Sequence, residues 1–382
     1  MFDAIIEAIH HLYPHQTEIP LHEPLLGELE KKYLSEVIDS GFVSSAGASI
    51  EEFEAAISDF TGIPHVIATV NGSSALQLAL IIAGVKPGDL VITQSASFIA
   101  TTNAIAHCGA EPLFLDIDKT TLGLSVQSLA HFLTTQTEQR DDQLVLTATG
   151  QRITACVPMH TFGLAADIQA IIKLCDDCQL PVIEDAAEAL GSFVGDQHLG
   201  GFGQSGIFSF NGNKIITTGG GGALVTHDEN LATLARHLST TAKVAHPWQS
   251  QHDQVGYNFR MPNLNAALGL AQMERLPELL RQKRALAHSY HQQLADSGLQ
   301  LFKEGERCRS NYWLNAVAFE TNTQRDDFLK QANARGIQAR ALWQPLHQST
   351  PYQHCRQETL DNTRFIEQRL VNLPSGIPGQ WR

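Results

Sequence analysis

One lysine, Lys214, stands in FSFNGNKIITTGGGG (208–222), between an aromatic-rich strand pattern and four consecutive glycines. Its nearest Asp, Glu, Lys or Arg neighbours in the sequence are Asp196 and Asp228, so this cation is not part of a solvated charged face. An amine shielded from water gives up its proton more readily, and a neutral amine attacks a carbonyl. A phosphate-binding loop lysine is the other reading, but Ile215 follows Lys214 where that motif needs Ser or Thr. Two carboxylates, Glu184 and Asp185, close the apolar run LPVIED (180–185), and Gly72, Ser73 and Ser74 open NGSSALQLAL (71–80). Free N–H groups and hydroxyls at a helix start form an anion site. The same residues serve equally well as an ordinary cap through Asn71 or Ser73, and Asp185 could cap the helix that follows it. Taken together, the three features meet the needs of pyridoxal phosphate. That cofactor requires a lysine for its aldehyde, a carboxylate for its ring nitrogen and a cradle for its phosphate.

Short β-branched runs alternate with helical patterns from about residue 61 to 240. HVIATV (65–70), LVIT (90–93), EPLFLDID (111–118), ITACVPMH (153–160) and LPVIED read as strands. Apolar strands separated by helices predict a mostly parallel sheet covered on both faces, with Asp185 at the strand ends where ligands bind. GIFSF and GALVT are separated only by the Lys214 loop, which predicts one antiparallel excursion. A long helix is expected from Asn263, followed by a smaller α+β unit with strands at 314–320 and 337–343 and a helix at 323–335. The expected division is a large cofactor-binding domain over 1–250, with an N-terminal arm over 1–25, and a small domain over 251–382. The polar segment 134–152 reads as a surface insertion.

The composition sets limits. A chain of 382 residues suggests two domains, and its net charge of −14 argues against a nucleic-acid partner. No apolar run has the length of a membrane span, and Asp3 and Glu7 stand where a signal peptide would carry basic residues. Six cysteines in so long a chain suit a reduced, cytoplasmic protein. GFGQSG (201–206) matches the dinucleotide fingerprint, but a strand-like segment follows it where a helix should open. Cys175 and Cys178 lack a second ligand pair, and the 17 histidines contain no HExxH, so no metal is expected.

FVSSAG (42–47), NGSSALQLAL, SFIATTNAI (97–105), VPMHTFGLAADI (157–168), VIEDAAEALGS (182–192), FSFNGNKIITTGGGGALVT and GYNFRMPNLNAALGLAQMERL (256–276) give the chain its resemblance. It resembles the sugar aminotransferases of the DegT/DnrJ/EryC1/StrS family from about Pro20 to His347. The resemblance implies an α/β fold of the aspartate aminotransferase type (fold type I) and a homodimer with shared active sites. It implies that Lys214 binds the cofactor aldehyde and then shuttles the 1,3-proton. Asp185 would pair with the ring nitrogen, while Ser73, Ser74 and Ser209, with Gly72, would hold the phosphate. Strand alternation sends Ser209 to the face opposite Phe208 and Phe210. Phe98 matches the aromatic that stacks on the cofactor, and Asn258 matches a residue that reaches the neighbouring subunit's cofactor. His160 and His347 match positions that line the sugar pocket. Glu188 departs from the Gln or His common near the cofactor's phenolic oxygen, and the four glycines depart from GEGG. Those two features, with PMHTF, resemble the branch associated with legionaminic-acid and bacillosamine-type sugars. The resemblance therefore implies amino transfer from L-glutamate, leaving 2-oxoglutarate, to C4 of a UDP-linked 4-keto-6-deoxy-N-acetylhexosamine. The alternative is a GDP- or dTDP-linked keto sugar, as in perosamine synthesis.

Overall fold

The structure, a computed structural model, describes residues 2–14 and 16–379. In chain order its principal elements begin with α1 (Phe2–Leu12), α2 (Glu28–Ser40), α3 (Ala48–Thr61), β1 (His65–Thr69) and α4 (Gly72–Ile82). They continue with β2 (Leu90–Gln94), α5 (Ile99–His107), β3 (Glu111–Leu115), α6 (Val126–Gln136), β4 (Ile153–Val157), α7 (Ile168–Asp176) and β5 (Ile183–Asp185). The large layer ends with β6 (Ser205–Ser209), β7 (Gly222–Thr226) and α8 (Glu229–Ser239).

A four-stranded sheet, β1-β7-β6-β5, meets a three-stranded one, β4-β2-β3. Parallel bridges Cys156–Val182 and Met159–Asp185 join β4 to β5, so the strands form one continuous layer. β7 runs antiparallel to both its neighbours, whereas β6–β5, β2–β3 and β2–β4 are parallel. The expected antiparallel excursion is therefore strand β7, which follows the Lys214 loop. Pleating divides each strand between two cores. Val66 and Phe208 enter one with Phe53 and Phe132, while Ile67 and Ile207 enter the other with Leu76 and Ile105. Open α/β sheets bind ligands at the carboxyl ends of their parallel strands.

Helix α9 (Asn263–Gln293) leaves this layer along α2 and α3, burying Ala266, Met273 and Leu276 in the first core. Its far end carries Leu286 and Tyr290 into a third core. That core covers a small antiparallel sheet of β8 (Gln300–Leu301), β9 (Asn315–Ala318), β10 (Arg340–Ala341) and β11 (Leu370–Leu373), with α10 (Asn322–Ala334). Ile5 and Ile9 of α1 join it, so the N-terminal helix shares a core with the small sheet. A division into independent units at residue 250 stays a proposal; α9, which begins at Asn263, packs into both the first and the third core.

The segment 134–152 is more ordered than its polarity suggests. Thr137–Arg140 and Gln143–Leu146 pair as a hairpin, turning through Asp141 and Asp142, both at positive φ. Leu144 and Leu146 drop into the first core, which is why the hairpin holds.

Candidate active site

A cavity of about 260 Å³ opens at the carboxyl ends of β5 and β6 and the start of α4. Gly72, Ser73, Phe98, Asp185, Glu188, Ser209 and Lys214 all line it. These residues come from four separate stretches of the chain, and the parallel sheet brings their following loops to one edge.

Lys214 follows a turn in which its N–H donates to the Asn211 carbonyl at 3.0 Å. Its Nζ lies 3.2 Å from Glu188 Oε1 and 4.1 Å from the centre of the Trp313 ring. Trp313 also donates its indole N–H to the Asn213 carbonyl at 2.6 Å, so it braces the loop beside the lysine while covering the ammonium. Glu188 is buried, and burial pushes its carboxyl pKa up against the opposing attraction of Lys214. Its second oxygen accepts the Phe162 N–H at 2.9 Å. Phe162 takes φ 60 and ψ 16, a left-handed conformation costing a bulky residue on the order of 1–3 kcal/mol. Gly163 follows at φ 88, where a Cβ would stand 1.8 Å from Asn311 Oδ1. Asn311 in turn donates to the Glu188 and Leu190 carbonyls. The strained turn is thus held from two sides, with its N–H on Glu188.

Asp185 is also buried, and desolvation raises its pKa. Thr101 donates its hydroxyl to Oδ2 at 2.7 Å and Ala187 its N–H to Oδ1 at 3.2 Å. Among the described residues no cation forms an ion pair with Asp185, although it faces the cavity. A buried carboxylate so placed suits a protonated ring nitrogen. Across the cavity, Asn71 Oδ1 caps α4 by accepting the Ser74 N–H at 2.8 Å. The N–H groups of Gly72 and Ser73 have no partner within the helix, being in its first turn. A Cβ on Gly72 would lie 2.9 Å from Ser209 Cβ, so glycine alone lets the end of β6 approach the helix start. Cap and anion cradle coexist here, because Asn71 takes only one of the N–H groups.

These residues fit pyridoxal phosphate. The phosphate would be held by the α4 start with Ser73 and Ser209, the ring nitrogen by Asp185 and the aldehyde by Lys214. Phe98 flanks the cavity and is 47% exposed, a high value for a ring that size unless a ligand covers it.

Other expected contributors lie elsewhere. Ser74 gives its N–H to the Asn71 cap and does not line the cavity. His160 is fully buried and does not line the cavity: Nε2 donates to Glu184 Oε2 at 2.9 Å while Nδ1 accepts the Ala166 N–H. His347 is buried against Ser95, 2.7 Å from its hydroxyl, and does not line the cavity. Asn258 is exposed and also outside the cavity wall of its own chain. The glycines of GFGQSG receive an explanation as well. N–H groups of Gly200, Phe202 and Gly203 converge on Glu184 at 2.8, 2.6 and 2.8 Å, so the loop wraps a side-chain carboxylate.

Thr101, Asn211, Met159 and Trp313 are functional neighbours the sequence reading missed. Thr101 sits in the first turn of α5, three residues after Phe98, the residue that precedes the helix. Asn211 lies two residues beyond Ser209 and so shares its direction where the strand pattern continues. Trp313, about a hundred residues from Lys214, left no local signal.

Comparison with known proteins identifies the family. The DegT/DnrJ/EryC1/StrS aminotransferase family model matches residues 24–377. A GDP-perosamine synthase of Vibrio cholerae is 35% identical over 362 residues, 94% of each chain. Another GDP-perosamine synthase, from Caulobacter vibrioides, is 35% identical over 94% of this chain and 93% of its own. The crystal structure of the aminotransferase TlmJ from Streptoalloteichus hindustanus superposes with a TM-score of 0.84 at 30% identity, covering 93% of both chains. The chain belongs to the DegT/DnrJ/EryC1/StrS family and is a pyridoxal-phosphate-dependent sugar aminotransferase.

Proposed function

We propose that the chain transfers an amino group from L-glutamate to C4 of a GDP-linked 4-keto-6-deoxy sugar, a perosamine-type reaction. The observation that carries amino transfer is the convergence of Lys214, Asp185 and the α4 start on one cavity. When bound, the cofactor supplies a carbonyl for the amino group and an electron sink for the proton shift. The protein's own residues do the rest. Lys214 takes and returns the proton, Glu188 holds the ammonium when Lys214 is charged, and Trp313 keeps water from it. Asp185 keeps the ring nitrogen protonated, and Thr101 holds Asp185 in place.

The choice of GDP follows the two GDP-perosamine synthases, which match nearly the whole chain. The UDP reading rested on Glu188, the four glycines and PMHTF. Glu188 is bonded to Phe162 N–H and Lys214, an arrangement that serves the amine and carries no information about a base. Incubation with glutamate and either the GDP-linked or the UDP-linked keto sugar, followed by 2-oxoglutarate release, separates the readings. We expect kcat/KM at least about tenfold higher for GDP, a preference of about 1.4 kcal/mol; the reverse order would restore the UDP reading.

A homodimer with shared sites is part of the same proposal. Exposed Trp248 (82%) and Val255 (84%) lie close to Asn258 in sequence, and exposed Phe42 (63%) is tied to the start of α9 by the Asn263 side chain, which donates to its carbonyl, so large apolar groups stand where a subunit contact would need them. The six cysteines are all free, which supports a reducing, cytoplasmic setting. No helix among the described residues is long and apolar enough to cross a membrane.

A further inference from the structure

On the outer edge of the large sheet, away from the cavity, the segment 354–358 lies alongside β3. Phe114 N–H donates to the Arg356 carbonyl at 2.9 Å, and Glu358 N–H to the Phe114 carbonyl at 3.0 Å. This pairing brings His354 and Cys355 opposite Glu111, the first residue of β3. One ligand-type atom from each lies within 4.8 Å of the other two. Cys355 Sγ and His354 Nε2 are 3.7 Å apart. A tetrahedral ion with metal–sulfur near 2.3 Å and metal–nitrogen near 2.0 Å sets those two atoms about 3.6 Å apart. The strongest pair therefore already has the right spacing. Glu111 is half-buried and His354 exposed, so rotation of two side chains closes the set while Cys355 stays fixed in its apolar cluster with Phe114, Leu346 and Tyr352.

We propose that Glu111, His354 and Cys355 bind a zinc-class divalent cation, with water from the exposed His354 side as fourth ligand. Thiol, imidazole and carboxylate together select a borderline ion and disfavour magnesium or calcium, which take oxygen ligands. The ion displaces the Cys355 thiol proton to solvent and leaves a coordinated thiolate. In its absence burial, and then the Glu111 carboxylate, push that thiol up to about 12. Binding pins the end of a segment whose other end reaches the active-site side. Leu346 N–H donates to the Ser95 carbonyl at 2.9 Å and His347 meets the Ser95 hydroxyl. The site needs no assumption about the sugar or its nucleotide.

The test uses metal-stripped, cofactor-loaded enzyme titrated with cobalt(II) and, separately, with zinc against a chromophoric chelator. We expect one equivalent per chain, with tetrahedral thiolate-cobalt bands to the red of the cofactor's absorption. Cys355→Ser and His354→Ala should each abolish the bands and weaken zinc by at least about 100-fold, the upper end of what loss of a mere supporting residue costs. His354 is exposed, so its variant keeps the fold even if the buried Cys355 substitution does not. Absence of the bands, or bands that persist in both variants because another of the six cysteines holds the ion, would overturn the proposal.

Discussion

Glu184 and Asp185 are consecutive, both buried, and on the same strand, yet strand alternation turns them to opposite sides of the sheet. Glu184 accepts three backbone N–H groups and the His160 ring N–H, which satisfies both oxygens within the protein. Asp185 accepts one hydroxyl and one N–H and presents its remaining capacity to the cavity. Burial alone does not distinguish a structural carboxylate from a chemical one. The number of lone pairs left without a protein partner does.

That contrast can be broken by exchanging each carboxylate for its amide. Asp185→Asn should reduce turnover by about 10² to 10⁴-fold, the range for losing a proton-holding group, while changing the unfolding midpoint little. Glu184→Gln should do the opposite. It turns an amide NH₂ toward N–H donors and costs about 3 kcal/mol or more in stability, read by denaturant unfolding. Equal loss of stability in both would erase the distinction. The same logic applies to the serines of the cradle. Ser209→Ala should weaken cofactor binding about 10- to 100-fold, as for a hydrogen bond to a charged group of 1.5–3 kcal/mol. Ser74→Ala, whose hydroxyl does not line the cavity, should stay within about twofold by equilibrium dialysis.

The smallest effect is in pH dependence. Burial raises the Asp185 pKa above the usual value near 4. The cofactor-free native state therefore holds a proton that the unfolded chain releases in that window. Its contribution to stability is present below the ordinary value and is lost as pH rises through the raised one. Asp185→Asn cannot titrate, so the cofactor-free variant should gain stability relative to the parent as pH rises above the ordinary carboxylate range. Unfolding midpoints that run parallel would show that Asp185 is not desolvated.

Much of this was legible in the chain because it is local. Apolar strands, the antiparallel β7 and the lone Lys214 all announce themselves within fifteen residues. The cradle was legible as an ambiguity, and the structure shows why: Asn71 caps while Gly72 and Ser73 remain available. What was not legible is long-range. His160 resembles a sugar-pocket residue by position, and only the fold reveals that its ring bonds Glu184. The GFGQSG match misleads for the same reason, since its N–H groups do converge on an anion, one supplied by the chain itself. Trp313 and the strained Phe162 depend on packing between the two sheets, which no spacing encodes.

The central claim is that Lys214 is the amine that carries the cofactor. Hydride reduction of the purified, cofactor-loaded enzyme, proteolysis and mass mapping test it without any sugar substrate. The account predicts the pyridoxyl mass on the peptide containing Lys214, and none in Lys214→Ala protein that retains its fold. Cofactor fixed to another lysine, or to none, would contradict it.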